Sequence, residues 1–308
     1  MRVAGSIVLA VLAAAAGPAQ AQVGACSASD ITAITYAGTS LPPYNPFTPF
    51  APKLVTVTVS ATRTCALELA FLSLSTPPRL TGFGSLSYDI QLPSTAASLV
   101  YAGGAPPTTA HIDIGPGLTG SANVQVSIPA GQVVGDGVYG DASVVAQIFD
   151  KSGAILTLLK SANLPLSASV VRACQFTSPT SPTLNFTPAI SNGVPQPGYT
   201  QSVTFQNVSC TAPSLVRLSG NAMLPAQPAS PTPVFDTLIN YRASATFSGA
   251  NAVLDTSLGS DAASGSRNTA AGAVTSGVVR VDVNLIAGKP LLPGTYSSVL
   301  TVSIDPNP

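Results

Sequence analysis

The sequence predicts an all-β protein of two immunoglobulin-like β-sandwich domains in tandem, of which the C-terminal one lacks its final strand. Three observations predict this fold. Short alternating apolar segments follow one another between turns, in a chain with 26 Gly and 28 Pro. The two halves of the sequence repeat each other. Four cysteines are spaced in the same way in both halves.

The first segment, residues 1–21, has the pattern of a secretory signal. Arg2 precedes an apolar run, and Ala19–Gln20–Ala21 fits a cleavage site. We therefore expect the mature chain to begin at Gln22. A lipoprotein anchored at Cys26 is a weaker alternative, because this cysteine lies ten residues beyond the apolar run, which ends at Ala16.

The charge of the chain limits its partners. Only 8% of the residues are charged and the formal net charge is zero, so the sequence offers no polybasic surface for nucleic acid. After the signal, no stretch of 18 uninterrupted apolar residues predicts a membrane-spanning helix.

The repeat places one cysteine pair in each half. "VTVTVSATRTC" parallels "SVTFQNVSC", and "VQVSIPAGQVVGDGVY" parallels "VDVNLIAGKPLLPGTY". In an exported chain this arrangement predicts the disulfides Cys26–Cys65 and Cys174–Cys210. A metal site is disfavoured, since there is no C-x-x-C motif. We expect domains at residues 22–165 and 166–308.

The two copies differ after a tyrosine that we interpret as a structural corner, Tyr139 in the first and Tyr296 in the second. After Tyr139, "ASVVAQIFD" and "AILTLLK" leave room for a closing strand, whereas only twelve residues follow Tyr296. A sandwich without its last strand exposes core side chains and unpaired edges. The second copy is therefore expected to need a strand from a partner.

The C-terminal half resembles a known family. "CQFTSPTSPTLNF" from Cys174, the strand that ends at Cys210, and "PGTYSSVLTVSI" from Pro293 are similar to spore coat protein U domains. Such domains occur in subunits of archaic, Csu-type chaperone-usher pili. The resemblance covers the C-terminal half well and extends weakly to the first half through the repeat.

The resemblance implies a pilus subunit that is secreted through the periplasm to the cell surface. Its partners would be a periplasmic pilus chaperone, an outer-membrane usher and an adjacent pilin subunit that donates a strand. Polymerising members carry an N-terminal donor segment, whereas only residues 22–25 would precede Cys26 here. The resemblance therefore implies a tip adhesin, which supports attachment to abiotic or host surfaces and biofilm formation.

Three apolar, Gly- and Pro-rich loops of the first half are candidates for surface contact. "SLPPYNPFTPFAPK" spans residues 40–53, "TPPRLTGFGS" spans residues 76–85, and "LVYAGGAPP" spans residues 99–107. We expect these loops at the pole far from the linker. The alternative is that their rings cap the core of the first domain. The candidate surface-binding residues are Tyr44, Phe47, Phe50, Phe83 and Tyr101.

An enzyme is not expected, and we predict no catalytic residue, metal or cofactor. His111 is the only histidine and Glu68 the only glutamate, so a pair of glutamates for acid–base work cannot exist. "GFGS" at residues 82–85 lacks the context of a phosphate loop. The alternatives to a tip adhesin are a secreted coat or matrix protein and a carbohydrate-binding sandwich. The absence of Trp disfavours the carbohydrate-binding alternative.

Overall fold

The structure is a computed structural model that describes residues 25–141, 143–153, 155–177, 181–227, 230, 232–258, 264–265 and 273–306. The predicted signal segment lies outside the described residues. The described helices are short 3-10 turns, namely η1 (Ala28–Asp30), η2 (Thr187–Ala189) and η3 (Thr256–Leu258). In the part of the chain that the structure describes, no helix is long and apolar enough to cross a membrane. The all-β prediction is confirmed.

The first half contributes its strands in three sheets. Their order is β1-β2-β9-β6, then β12-β11-β3-β7 with β8 on the edge of β3, and β13-β10-β4-β5. The strands are β1 (Ile31–Ala37), β2 (Lys53–Ala61), β3 (Cys65–Leu72), β4 (Arg79–Gly82), β5 (Gly84–Ser87), β6 (Asp89–Gln91), β7 (Val100–Tyr101), β8 (Ala110–Ile114), β9 (Thr119–Ser127), β10 (Gly137–Asp141), β11 (Val145–Asp150), β12 (Thr157–Asn163) and β13 (Leu166–Val170).

The second half is built around one six-stranded sheet, β14-β17-β23-β20-β21-β22, faced by the antiparallel pair β18-β25. Two short pairs, β15-β16 and β19-β24, complete it. The strands are β14 (Cys174–Phe176), β15 (Ile190–Ser191), β16 (Val194–Pro195), β17 (Thr200–Cys210), β18 (Ser214–Gly220), β19 (Leu224–Pro225), β20 (Tyr241–Phe247), β21 (Ala250–Asp255), β22 (Ser264–Gly265), β23 (Val274–Leu285), β24 (Tyr296–Ser297) and β25 (Leu300–Pro306).

Alternation along the strands builds the cores. In β2, Val55, Val57 and Val59 are fully buried, while the residues between them are only partly buried. A strand with a side-chain period of two buries one face in this way. Each half has its own large hydrophobic cluster, one from Cys26 to Val170 and the other from Phe186 to Ile304.

The repeat predicted from the sequence recurs in the contacts. β2 pairs with β9 as β17 pairs with β23, and β11 pairs with β3 as β25 pairs with β18. The corner tyrosines make the same hydrogen bond, because Tyr139 donates to the carbonyl of Gly135 (2.7 Å) and Tyr296 to that of Leu292 (3.0 Å). Each hydrogen bond closes the turn that immediately precedes its tyrosine.

The disulfides join the predicted pairs. Cys26 is bonded to Cys65 and Cys174 to Cys210, with Cα–Cα distances of 5.9 and 4.1 Å. The first bridge joins Cys26, which precedes β1, to the first residue of β3. The second bridge joins the first residue of β14 to the last residue of β17. The predicted connectivity is confirmed.

The junction between the halves lies a few residues later than residue 165. Leu166, Ala168 and Val170 of β13 belong to the first hydrophobic cluster, so we place the division after Val170. Two contacts then fasten the junction. The Asp136 N–H donates to the carbonyl of Thr211 (2.8 Å), and Arg172 Nε lies 2.7 Å from Asp136 Oδ2.

Candidate functional site

An open, apolar groove lies beside β25, and we call it the β25 groove. It has a volume of about 620 Å³. The described residues of its lining include no charged side chain, so the groove suits an apolar occupant. The lining residues are Phe176, Ser181, Pro182, Thr183, Leu184, Phe186, Val203, Phe205, Met223, Tyr241, Val281, Val283 and residues 296–302.

The groove lies where the first half has a closing strand. β11 pairs with β3 on one edge and with β12 on the other. Its counterpart β25 pairs with β18, and no strand of the described residues pairs with its other edge. In the first half Leu159 of β12 packs against the core, and the Tyr36 hydroxyl donates to the carbonyl of Ala162 (3.0 Å). The second half shows no equivalent contacts among its described residues.

The strands that border the groove are also less buried than their counterparts in the first half. Val203 and Phe205 of β17 are only partly buried, whereas the inward valines of its counterpart β2 are fully buried. In β25 only Ile304 is buried, while β11 is buried over five consecutive residues. Side chains of core type therefore line the groove without full cover.

Aromatic contacts shape the floor of the groove. Phe176 and Phe205 meet edge to face with ring centroids 5.9 Å apart, and Phe186 and Tyr199 do so at 6.3 Å. Such pairs prefer this geometry, and they hold the rings in defined positions. The groove is thus a shaped apolar surface.

The structure corrects the prediction for Tyr44. This side chain is fully buried, and its hydroxyl donates to the carbonyl of Pro129 (3.0 Å) and accepts from the N–H of Gln132 (2.9 Å). Phe50 packs on it with centroids 6.2 Å apart, and Phe47 is partly buried. Tyr44 is therefore a core residue that anchors the loop.

Tyr101 is also a core residue, which corrects the second aromatic prediction. It packs with Ala70 and Phe149 in a small separate cluster, and its hydroxyl donates to the side-chain carbonyl of Gln147. Phe83, in contrast, is exposed to solvent. It lies at the tip of the β4–β5 hairpin with 78% of its surface exposed.

The loop of residues 40–53 lies next to the linker, so the expectation that it is distal was wrong. Leu41 and Tyr44 donate backbone hydrogen bonds to Ser167 and Ser169 of β13 (2.8 and 2.7 Å), and Val171 donates back to Tyr44 (3.0 Å). The loop thus runs parallel to β13 towards the second half. The backbone pairing of the loop, rather than its aromatic composition, decides its position.

The pole far from the linker is formed by turns outside the three loops predicted to contact a surface. The turns at residues 62–64 and 115–118 and the described residues 151–153 and 155–156 lie there, because Ala61 donates to the carbonyl of Leu118 (2.9 Å) and Lys151 to that of Ala66 (3.2 Å). Ile155 is 81% exposed in the last of these turns. An isoleucine two residues after Gly153, between β11 and β12, was the available sequence signal.

A polar cluster on β3 and β8 involves the only histidine and the only glutamate. His111 Nδ1 lies 3.2 Å from Glu68 Oε1, and His111 Nε2 lies 2.9 Å from Asp113 Oδ1. Lys151 also pairs with Glu68. Burial raises the pKa of Glu68, but hydrogen bonds from Lys151, Thr109 and His111 outweigh burial and bring the pKa below its usual value.

The polar groups of this cluster already contact one another. Both ring nitrogens of His111 face carboxylates, so neither is directed at a serine hydroxyl as a nucleophilic pair requires. Among the described residues, no group of three His, Cys, Asp or Glu side chains is arranged to hold a metal ion. The cluster therefore orders the sheet edge near the far pole.

Comparison with known proteins finds similarity only among solved structures. No protein family and no curated protein matches the sequence. The CsuC–CsuE chaperone–tip adhesion subunit pre-assembly complex of archaic chaperone-usher Csu pili from Acinetobacter baumannii aligns at 14% identity and a TM-score of 0.37, over 88% of this chain and 100% of that chain. The CupB6 tip adhesin from Pseudomonas aeruginosa aligns at 9% identity and a TM-score of 0.35, over 89% and 94%. A chaperone–tip adhesin complex of CFA/I fimbriae biogenesis aligns at 11% identity and a TM-score of 0.35, over 92% and 94%.

Proposed function

We propose that this chain is a tip adhesin subunit of a chaperone-usher pilus. Its second half accepts a strand in the β25 groove, from a periplasmic chaperone before assembly and from the adjacent pilin subunit afterwards. Its first half attaches the pilus to a surface. The chain passes through the periplasm and an outer-membrane usher to the cell surface.

The observation that carries the proposal is the contrast between β11 and β25. The first half closes its sandwich with β12, and the same position in the second half is an apolar groove beside an edge of β25 that no described strand pairs with. A partner strand that binds there gains main-chain hydrogen bonds along β25 and buries alternate side chains in the groove. Strand addition by a partner uses both features at once.

The length of β25 and the pairing of its counterpart β11 define the length and direction of the partner strand. β25 has seven residues, so a strand that pairs along it spans about 23 Å at about 3.3 Å per residue. β12 pairs antiparallel with β11. We assign the same antiparallel direction to the occupant of the β25 groove, with apolar side chains at every second position.

The proposal that the first half of the chain binds a surface rests on exposed apolar side chains. Ile155 and Leu118 are both exposed in the turns at the pole opposite the linker. Phe83 is exposed on the linker side, and Phe47 and Phe50 are only partly available. We therefore assign first contact to the far pole and secondary contact to Phe83. A surface held by these groups is apolar.

A binding experiment with the full mature chain tests strand acceptance. A labelled peptide of about nine residues, with valine at alternate positions, should bind with saturation measured by fluorescence anisotropy. The control peptide has the same sequence but is N-methylated at the residues whose N–H groups would pair with β25. Equal binding of both peptides, or of neither, contradicts strand addition.

A further inference from the structure

Four large apolar side chains of the second half are exposed on the segments between β18 and β20. Leu224 is 57% exposed, Val234 is 61% exposed, and Phe235 and Leu238 are each 37% exposed. We call the surface that carries them the Phe235 face. None of the four is among the described residues that line the β25 groove, so the groove does not account for their exposure. Exposed apolar surface of this kind marks an interaction site.

Main-chain hydrogen bonds fix the two leucines of the Phe235 face next to each other. Met223 and Ile239 bond to each other in both directions, at 2.9 and 3.0 Å. Their bridge is antiparallel, so Leu224 and Leu238 are the next residues opposite each other. Leu224 also pairs with Ser297, beside the corner tyrosine of the second half. The face therefore lies at the end of the second half where this tyrosine stands.

The turn before the corner tyrosine holds the rest of the face, on residues 232–238. The Asp236 N–H donates to the carbonyl of Pro290 (2.9 Å), and Asp236 Oδ2 accepts from the N–H of Lys289 (2.7 Å). Lys289 Nζ also donates to the carbonyl of Pro233 (3.2 Å). The exposed apolar side chains thus belong to an ordered segment, and a partner that covers them does not have to order it first.

The first half shows what covers the same end of a closed half. Its closing strand β12 continues into β13, whose last residue, Val170, pairs with Gly137 in the approach to the corner tyrosine. Only residues 171–173 then separate β13 from β14 of the second half. Asp136, in the same turn, bonds to Thr211 of the second half. The unit that the closing strand leads into therefore sits on this end of the first half.

The same topology directs a strand donor to the Phe235 face. β25 begins at Leu300, four residues after Tyr296, and runs away from the end where the face lies. A strand that pairs antiparallel with β25, as β12 does with β11, therefore ends beside Leu300. If the donor's folded domain follows its strand, as the second half follows β12 and β13, that domain begins at the face.

We propose that the Phe235 face is the docking surface for the folded domain of the adjacent pilin subunit, the same subunit whose strand fills the β25 groove. This inference rests on the proposed function, because one partner occupies both sites. The strand joins the two subunits, and the face sets the angle between them. The partner surface is apolar, because Asp236 and Lys289 already bond to main-chain groups and a charge buried on the face would lack a counter-ion.

Site-specific photo-crosslinking of the full chain, in the cells that express it, tests this inference. Benzoylphenylalanine replaces Thr301, which is exposed and lines the groove, in one variant and Phe235 in another. Mass spectrometry then identifies the crosslinked peptides. Thr301 should capture the donor strand of a pilin, and Phe235 should capture the folded domain of the same pilin. Val278 is the matched control, because it is 44% exposed in the same half on β23, and it should not capture that pilin.

A dissociation experiment with the purified pilin measures the contribution of the face. The double substitution Val234→Ser and Phe235→Ser should raise the dissociation rate of the complex about tenfold or more, because interface substitutions act mainly on dissociation. The control Val278→Ser should leave this rate unchanged. Both variants should keep the melting temperature of the full mature chain and its Kd for the valine peptide, since the replaced side chains are exposed and lie outside the groove.

The outcomes separate the two proposals. Capture of a pilin at Thr301 but not at Phe235, capture of only the chaperone or the usher at Phe235, or an unchanged dissociation rate would overturn the docking face and leave strand acceptance intact. Failure of the valine peptide to bind, together with no donor strand captured at Thr301, would instead refute the proposed function.

Discussion

The two tyrosines at equivalent places in the repeat should respond in opposite ways to loss of their hydroxyl groups. Tyr88→Phe removes a donor to Asp141, whose carboxylate is 6% exposed and keeps only the bonds from the Ser143 amide and hydroxyl. Tyr241→Phe removes a hydroxyl that has no partner in the described structure. The same chemical change therefore has different consequences.

The expected magnitudes follow from these contacts. A hydrogen bond to a charged group contributes about 1.5–3 kcal/mol, so Tyr88→Phe should lower the free energy of unfolding of the first half by about that amount. For a unit of this size the loss corresponds to a fall in Tm of roughly 5–12 °C. Tyr241→Phe should leave the second half unchanged or stabilise it by up to about 1 kcal/mol.

Differential scanning calorimetry of the full mature chain measures both effects. The transition that moves in Tyr88→Phe identifies the first half, and it should stay in place in Tyr241→Phe. Equal losses of stability in the two variants would show that Tyr241 has an unrecognised partner. No loss in Tyr88→Phe would show that the buried pair with Asp141 does not contribute, and either result would refute the comparison between the halves.

Three further outcomes are expected. Replacing Cys26 and Cys65 with alanine should lower the stability of the first half by about 4 kcal/mol, the loop-closure value for a separation of 39 residues, as measured by urea unfolding. Burial raises the pKa of Tyr36 from 10.0 to about 12, so the folded chain keeps a proton that the unfolded chain loses between these values. Stability should therefore be complete below pH 10 and fall as the pH rises towards 12, and a Tyr36→Phe variant should show a smaller fall in the same pH titration. Ile155→Ser should reduce adhesion to hydrophobic plastic more than Phe83→Ser does, with unchanged melting temperatures, and a larger effect of Phe83→Ser would reverse the assignment of the contact pole.

Local pattern was sufficient to predict the class of the fold and the pairing of the cysteines. Alternating apolar residues specify which face of a strand is buried, and this holds for Val55, Val57 and Val59 whatever lies opposite. The repeat then assigned each cysteine to a half. The space between Tyr139 and Cys174 likewise predicted the strand that became β12.

Burial of single aromatic rings was decided by tertiary contacts. Tyr44 and Phe83 both lie in Gly- and Pro-rich apolar loops, yet one is fully buried and the other is 78% exposed. The partners that bury Tyr44, Pro129 and Gln132, lie more than 80 residues away along the chain. Local composition carries no information on such contacts, because they depend on how distant segments are brought together.

The buried Tyr241 hydroxyl, which has no hydrogen-bond partner among the described residues, is a tertiary feature of the same kind. The sequence shows a serine, Ser298, where the first half has Asp141, but it does not show that this serine turns to Asn221 instead. That choice depends on the geometry of the turn before β25 and on the space that Gly220 leaves beside the hydroxyl. The repeat thus determined which residues of the two halves correspond, while three-dimensional packing determined which of the two buried tyrosine hydroxyls has a hydrogen-bond partner among the described residues.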